Sequence, residues 1–296
     1  MYHAVIVIIG LVLLLPLQAR GVPQDLLGDW SLELESGVPA WMSVQEQDGR
    51  PVVAMRLSIG SAGPYEDIAI REGRLTFELR KRKKEGSLRR IVEVGMTAGK
   101  LDGTITRTRG AGPAEVTPFT GTRISPMPAN APDLSMVRFG HPVLLFNGKD
   151  LTGWVPHEPD KINGWSVKDG MLVNTTPKTD FSATGDHANL KTEESFGDFW
   201  LHIEFCVEAQ RNSGVYLRGM YEAQVVDRDS RMQGLQGVGA IFGAIAPTVN
   251  AGKPGGEWQT YDLTLVDRHV TVVLKGVKVI DNQPVARPTP GAIHTN

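Results

Sequence analysis

The chain has a single cysteine, Cys206, in 296 residues. No intramolecular disulfide is available, so core burial alone must hold the fold together. Cys206 lies within an alternating run and is expected to be a small buried apolar residue. No cysteine stands beside the N-terminal apolar run to carry a lipid. Net charge of either sign is also missing: 31 Lys and Arg against 33 Asp and Glu leave −2. The chain therefore has no general attraction for nucleic acid or an acidic membrane surface. Its seven histidines form no pair at i, i+2 or i, i+4, and no cysteine cluster exists. Spacing thus predicts no metal site, although a carboxylate-bound divalent cation is left open. Phosphate loops, dinucleotide fingerprints and serine nucleophile elbows are absent, and no cofactor is required by any motif.

No apolar run comfortably reaches transmembrane length. The stretch from Ala4 to Leu17 is almost purely apolar, but a spanning helix needs about 20 residues. It reads as the core of a secretory signal over residues 1–21, with Ala19 and Gly21 spaced as before a cleavage site. The alternative is an uncleaved N-terminal anchor. Either way the remainder is expected to be exported, periplasmic or extracellular, with no membrane span once the signal is removed.

What the chain has in abundance is turn chemistry: 33 Gly and 19 Pro. Residues 22–125 alternate apolar and polar in short runs, among them AWMSVQEQ, RLTFELRK and KLDGTITRT. Turns such as Gln47-Asp48-Gly49-Arg50 and Arg71-Glu72-Gly73-Arg74 join them at hairpin distance. About eight antiparallel strands in roughly 100 residues predict a small antiparallel β-barrel. Gly28-Asp29-Trp30 resembles the opening of lipocalin-like barrels, in which a tryptophan plugs one end; a generic barrel spacer is the alternative. The basic run from Arg80 to Lys84, with Arg89 and Arg90, falls where a hairpin should turn and lacks interleaved aromatics. A solvated loop tip accounts for it better than a polyanion site.

Residues 126–142 carry Pro126, Pro128, Pro132 and Pro142 and read as a semi-rigid linker. Beyond it, alternation sharpens. From Trp200 onward, Leu201, Ile203, Phe205 and Val207 point one way, and Trp200, His202, Glu204 and Cys206 the other. Residues 261–281 give two or three more strands, hinged at Asp267-Arg268 and Lys275-Gly276. With no amphipathic helix, residues 143–296 are expected to form two packed antiparallel sheets. The whole chain is then all-β: a jelly-roll β-sandwich behind an N-terminal barrel-like domain.

Four segments resemble the 3-keto-disaccharide hydrolase family, formerly a domain of unknown function with a concanavalin-like sandwich. They are LFNGKDLTGW from Leu145, GWSVKDGMLV from Gly164, NSGVYLRGMYEAQVVD from Asn212, and GAIFGAIAPTVNAGKPGGEWQTYDL from Gly239. They cover nearly all of residues 143–290 in the family's order. Members often have Pro where Gly255 stands and Asn where Gln259 stands. They usually continue past a segment like Thr289 to Asn296 with further strands bearing a His-Gly and an Arg-Asn pair. The resemblance therefore implies an open sheet edge here if those strands are lacking.

The resemblance implies chemistry on 3-keto sugars. A carbonyl at C3 acidifies the C2 proton, whose loss expels the aglycone from C1; water then adds to the enone. This path needs a base near C2, a contact to the C3 oxygen and an acid near the leaving group. Ordinary glycoside hydrolysis needs two flanking carboxyls instead. Glu204 and Glu222 are the candidate acid/base groups. Arg218 is the candidate to hold the enolate oxygen or orient a carboxylate. Tyr216 is expected to share a strand face with Arg218, and Gln224 with Glu222, with Asp227 as a further carboxylate. The alternative is a cross-strand charge ladder of Glu204, Arg218 and Glu222 on an exposed sheet. The Gly- and Pro-rich loop from Gly239 to Trp258 offers Asn250 and Lys253 to sugar hydroxyls. Trp258 either stacks on a pyranose or is a buried anchor, and His187 is either a proton donor or an exposed loop residue.

Three functions compete. The first is an exported glycosidase-type hydrolase acting on 3-keto-glycosides or 3-keto-disaccharides, served by a separate oxidoreductase that makes the ketone. The second is a non-catalytic carbohydrate-binding module of the cell envelope. The third is an envelope adhesion protein whose working part is the barrel. A glycoside or oligosaccharide is the expected partner in the first two, and nucleic acid in none.

Overall fold

The computed structural model describes residues 21–35, 37, 39–57, 62–79, 88–177 and 185–293. The apolar run from Ala4 to Leu17 and the basic run from Arg80 to Lys84 lie outside them. Among the described residues no helix is long and apolar enough to cross a membrane, and helical structure is confined to two three-residue 3₁₀ turns.

Among the described residues eight strands fill the N-terminal part: β1 (Gly28–Leu34), β2 (Ala40–Gln47), β3 (Arg50–Leu57), β4 (Ala69–Arg71), β5 (Arg74–Glu78), β6 (Leu88–Thr97), β7 (Lys100–Arg109) and β8 (Glu115–Arg123). They form one antiparallel sheet in the order β3-β2-β1-β8-β7-β6-β5-β4. Its two edges come together ahead of β4, where Val53 and Tyr65 exchange backbone hydrogen bonds of 3.0 and 2.7 Å. The sheet is thus curled nearly shut around Leu32, Met42, Val53, Leu75, Val92 and Ile105, each at most 2% exposed. Trp30 is buried at one end. Its indole N–H donates to the Leu26 carbonyl at 2.9 Å, and the Arg123 guanidinium lies over its ring at 4.2 Å. Arg123 also donates to the carbonyls of Leu27 and Asp25.

The second part holds β9 (Trp154–Pro156), β10 (Trp165–Lys168), β11 (Met171–Asn174), β12 (Leu190–Thr192), β13 (Phe199–Cys206), β14 (Asn212–Leu217), β15 (Tyr221–Val226), β16 (Trp258–Val266), β17 (His269–Leu274) and β18 (Val277–Pro284). A four-stranded sheet, β13-β16-β17-β18, faces the β14–β15 hairpin. Alternation decides the packing. Phe205, Tyr261, Leu263 and Val272 from the sheet meet Leu217, Tyr221, Ala223 and Val225 from the hairpin in one core. Tyr261 bolts the layers together: its hydroxyl donates to the Gln224 carbonyl at 2.6 Å and accepts from the Gly239 amide at 2.7 Å. Cys206 departs from expectation. It alternates away from the core and is exposed.

The LFNGKDLTGW segment is a self-contained knot. Asn147 Oδ1 accepts from the Lys149 and Asp150 amides, Asp150 accepts from the Asn147 amide group and the Thr152 N–H, and Trp154 donates to the Leu145 carbonyl at 2.6 Å. Hydrogen bonds from Thr152 first, then Asn147, pull the Asp150 carboxyl down to about 2.

Hydrogen bonds among the described residues connect the parts. Arg268 donates to the Ser125 carbonyl, Asn282 to that of Pro132, and Arg56 of the barrel to that of Pro288 at 2.5 Å.

Candidate active site

Glu222 and Gln224 alternate outward from the hairpin, away from the shared core, because Tyr221, Ala223 and Val225 take the inward positions. Tyr216 is the direct cross-strand partner of Glu222. Its hydroxyl lies 2.9 Å from Glu222 Oε2 and 2.6 Å from the Pro290 carbonyl oxygen. A phenol has one hydrogen to give. When Glu222 is ionised that hydrogen serves the carboxylate. When Glu222 is protonated it can donate to the phenol oxygen, which then donates to Pro290.

The closing segment, residues 285–293, lies across this face. Thr289 takes a hydrogen bond from the Glu222 amide at 2.9 Å and returns one to the Met220 carbonyl at 3.1 Å. The Ile293 amide donates to Gly219 at 2.8 Å. Glu222 is left 9% exposed. Burial raises its pKa to about 7, only partly opposed by the Tyr216 hydrogen bond. Burial, then the neighbouring Glu222 charge, drives the Tyr216 phenol the same way. The pair is therefore a carboxyl able to exchange a proton near neutral pH beside a phenol that keeps its own.

The other predicted residues do not gather here. Glu204 lies on β13 in the opposite sheet, paired across the strands with Thr260 and exposed. It shares no cleft with Glu222, since the sandwich core separates their faces. Arg218 is not on Tyr216's strand face. It follows the end of β14 with a φ of 53°, and its guanidinium is bound to Asp198 and to the Gly197 carbonyl. The expected convergence of Glu204, Arg218 and Glu222 is thus not formed, nor is a charge ladder of the three.

Gln224 shares the outward face of β15 with Glu222 but is fully buried, its amide tied to the Gln236 carbonyl and the Val225 N–H. Asp227 is 2% exposed and accepts from the Gln210 and Asp229 amides, which folds the adjoining turns. Asn250 is spent on Arg228 and Gln233 before the long loop and on Gly252 within it. Lys253 is in an ion pair with Glu257 at 3.6 Å, and its amide donates to Gln259 at 2.8 Å. His187 packs against Gly164, beside Thr176 and Asn174. Trp258 is no buried anchor. It is half exposed on the outer face of β16, the face that also carries exposed Trp200 stacked on His202. Among the described residues no three His, Cys, Asp or Glu side chains cluster to hold a metal ion.

Sequence reading missed the residues that complete the Glu222 site. Gly214 makes room for the carboxylate, Thr289 accepts from the Glu222 backbone amide, Pro290 accepts from the phenol, and Gly291 lies where a Cβ would meet the Tyr216 hydroxyl at 2.6 Å. The hairpin register alone would have paired Tyr216 with Glu222. Nothing local marks the others.

A 3-keto-alpha-glucoside-1,2-lyase-like domain model matches residues 141–294. The chain belongs to this family. Its C-terminal part is accordingly a carbohydrate-active domain, and the NSGVYLRGMYEAQVVD segment is the hairpin that carries Tyr216 and Glu222. Two crystal structures of provisionally named glycosyl hydrolases from Parabacteroides distasonis ATCC 8503 are similar to the chain. One is 26% identical, covering 48% of this chain and 71% of its own, with a TM-score of 0.40. The other is 21% identical, covering 49% and 81%, with a TM-score of 0.36. Among curated proteins there is no match.

Proposed function

We propose that the protein cleaves 3-keto-glycosides or 3-keto-disaccharides, with Glu222 as the group that moves the proton. The single observation carrying this reading is the buried Glu222–Tyr216 pair, in which burial pushes the carboxyl up to about 7. As carboxylate, Glu222 removes the proton from C2. The C2–H electron pair becomes the C1–C2 double bond, and the C1–O electrons depart with the aglycone, which takes up a proton. Addition of water across the new double bond completes a net hydrolysis; release before that step makes the reaction a lyase. Burial, opposed by the Tyr216 hydrogen bond, shapes the protonation of Glu222, which suits a base that must give up and take up a proton near neutral pH. Export, with Ala4 to Leu17 as the signal, fits an enzyme that meets glycosides outside the cytoplasm.

The test is turnover of a 3-keto-glycoside beside its parent glycoside by the purified protein and by Glu222→Gln. Cleavage of the ketone alone, lost in the variant, is expected. Inactivity of the wild type on both, or undiminished activity of the variant, would refute the reading.

A second reading, a non-catalytic glycan-binding module, draws on the opposite face. There Trp200 and Trp258 stand 52% and 50% exposed on neighbouring strands, six residues apart in register and hence about 20 Å. Calorimetric glycan binding without product, weakened by Trp200→Ala, would favour it.

A further inference from the structure

β2 is buried on both faces from Ala40 to Val44. Ala40, Met42 and Val44 point into the barrel core, as alternation requires. Trp41 and Ser43 point outward, yet each is only 4% exposed. Trp41 forms a separate cluster with Ala62 and Ile124, and its indole N–H is buried with no acceptor among the described residues. An outer barrel face sealed in this way is built to be covered. Directly across the ladder from Trp41 stands Arg56. It extends from that face to the Pro288 carbonyl at 2.5 Å, one residue before the threonine that binds the Glu222 amide and two before the carbonyl that holds Tyr216.

Resting on the reading of Glu222 as the proton-moving group, we propose that Arg56 of the N-terminal barrel is a positioning residue of the Glu222 site. It grips the closing segment at Pro288, two residues before the carbonyl that holds the Tyr216 hydroxyl. The barrel is then part of the working unit rather than a detachable neighbour.

The charged and titratable groups around the pair can be named. Tyr216 comes from β14, Arg56 from β3 and Arg287 from the closing segment; Thr289 and Pro290 do not titrate. The segment on the other edge of β15 brings Ala240, Ile241 and Phe242, none of which titrates. Burial first, then the like charge of Arg287, lowers the Arg56 pKa, while Arg56 in turn lowers that of Tyr216. A cation whose charge acts on the phenol makes it a better donor, and that donated bond restrains the rise that burial imposes on Glu222. Neutralising Arg56 should therefore push the Glu222 midpoint further up.

The experiment is a pH titration of the full chain labelled with ¹³C at the glutamate carboxyl. The Glu222 signal is identified by its loss in Glu222→Gln. Arg56→Gln keeps a donor for Pro288 and drops the charge; Arg56→Met drops both; Arg56→Lys restores the charge. The expected result is an upward shift of about half a pH unit or more in the Gln and Met variants, largely reversed in Lys. A shift confined to Met would assign the effect to the grip on Pro288. Wild-type midpoints in both neutral variants would overturn the proposal, even if those proteins were less stable or less active. Should Met fail to fold, Arg56→Ala takes its place. The readout needs no substrate, so a shifted midpoint in a protein that leaves 3-keto-glycosides intact would sink the substrate reading and leave the positioning role standing.

Discussion

The carboxylate of Glu222 occupies the space a side chain at Gly214 would fill: a Cβ there would lie 2.3 Å from Oε1. Gly214→Ala should therefore displace the carboxylate or splay the hairpin, costing about 1–3 kcal/mol. Activity should fall sharply although no functional group has been removed. Chemical denaturation and steady-state kinetics on the same sample check both parts.

Proton inventory gives a second prediction. A carboxyl with a raised folded pKa binds its proton more tightly folded than unfolded. Its favourable contribution is complete below the ordinary 4.5 and drains away as pH rises to about 7. The difference in stability between wild type and Glu222→Gln should shift in the variant's favour by roughly 3 kcal/mol across that window and stay flat above it. Urea melts at several pH values measure this directly.

Catalysis should follow the same group. kcat/KM for a 3-keto-glycoside should rise with pH through about 7, as expected for a base that must be ionised. Tyr216→Phe removes the bond that restrains the carboxyl, so its acid limb should move upward while Glu222→Gln loses about 100-fold or more. A profile unchanged in Tyr216→Phe would disconnect the phenol from the chemistry.

Glu204 provides the contrast. It is exposed on the far sheet, so Glu204→Gln should leave turnover within about twofold of wild type. A large loss there would place the chemistry on the far sheet and not at Glu222.

The strands were readable because alternation and Gly-containing turns are local properties of the chain. That logic located the barrel strands, the hairpin and the outward side of the strand that begins at Phe199. It could not tell which outward side mattered, so Glu204 and Glu222 looked equivalent although the core lies between them. Arg218 shows a subtler failure. Alternation continued past Leu217 would align it with Tyr216, but the chain has already entered the turn. The rest was out of reach for a different reason. Arg56 and Pro288 are 232 positions apart, and no periodicity connects a barrel strand to a proline-rich stretch near residue 290. Gly255 was visible as a departure from the family's Pro, but its reason is spatial: a Cβ there would lie 2.2 Å from the Ala209 nitrogen.

The phenol of Tyr216 sits between two oxygens with one hydrogen to share. Once Glu222 gives up its proton, that hydrogen turns toward the carboxylate and the Pro290 carbonyl forfeits its donor. Each ionisation thus unfastens one stitch between hairpin and closing segment, and each reprotonation ties it again. A catalytic cycle through Glu222 would carry its own rhythm of loosening and tightening at the stretch of chain that lies across the carboxyl.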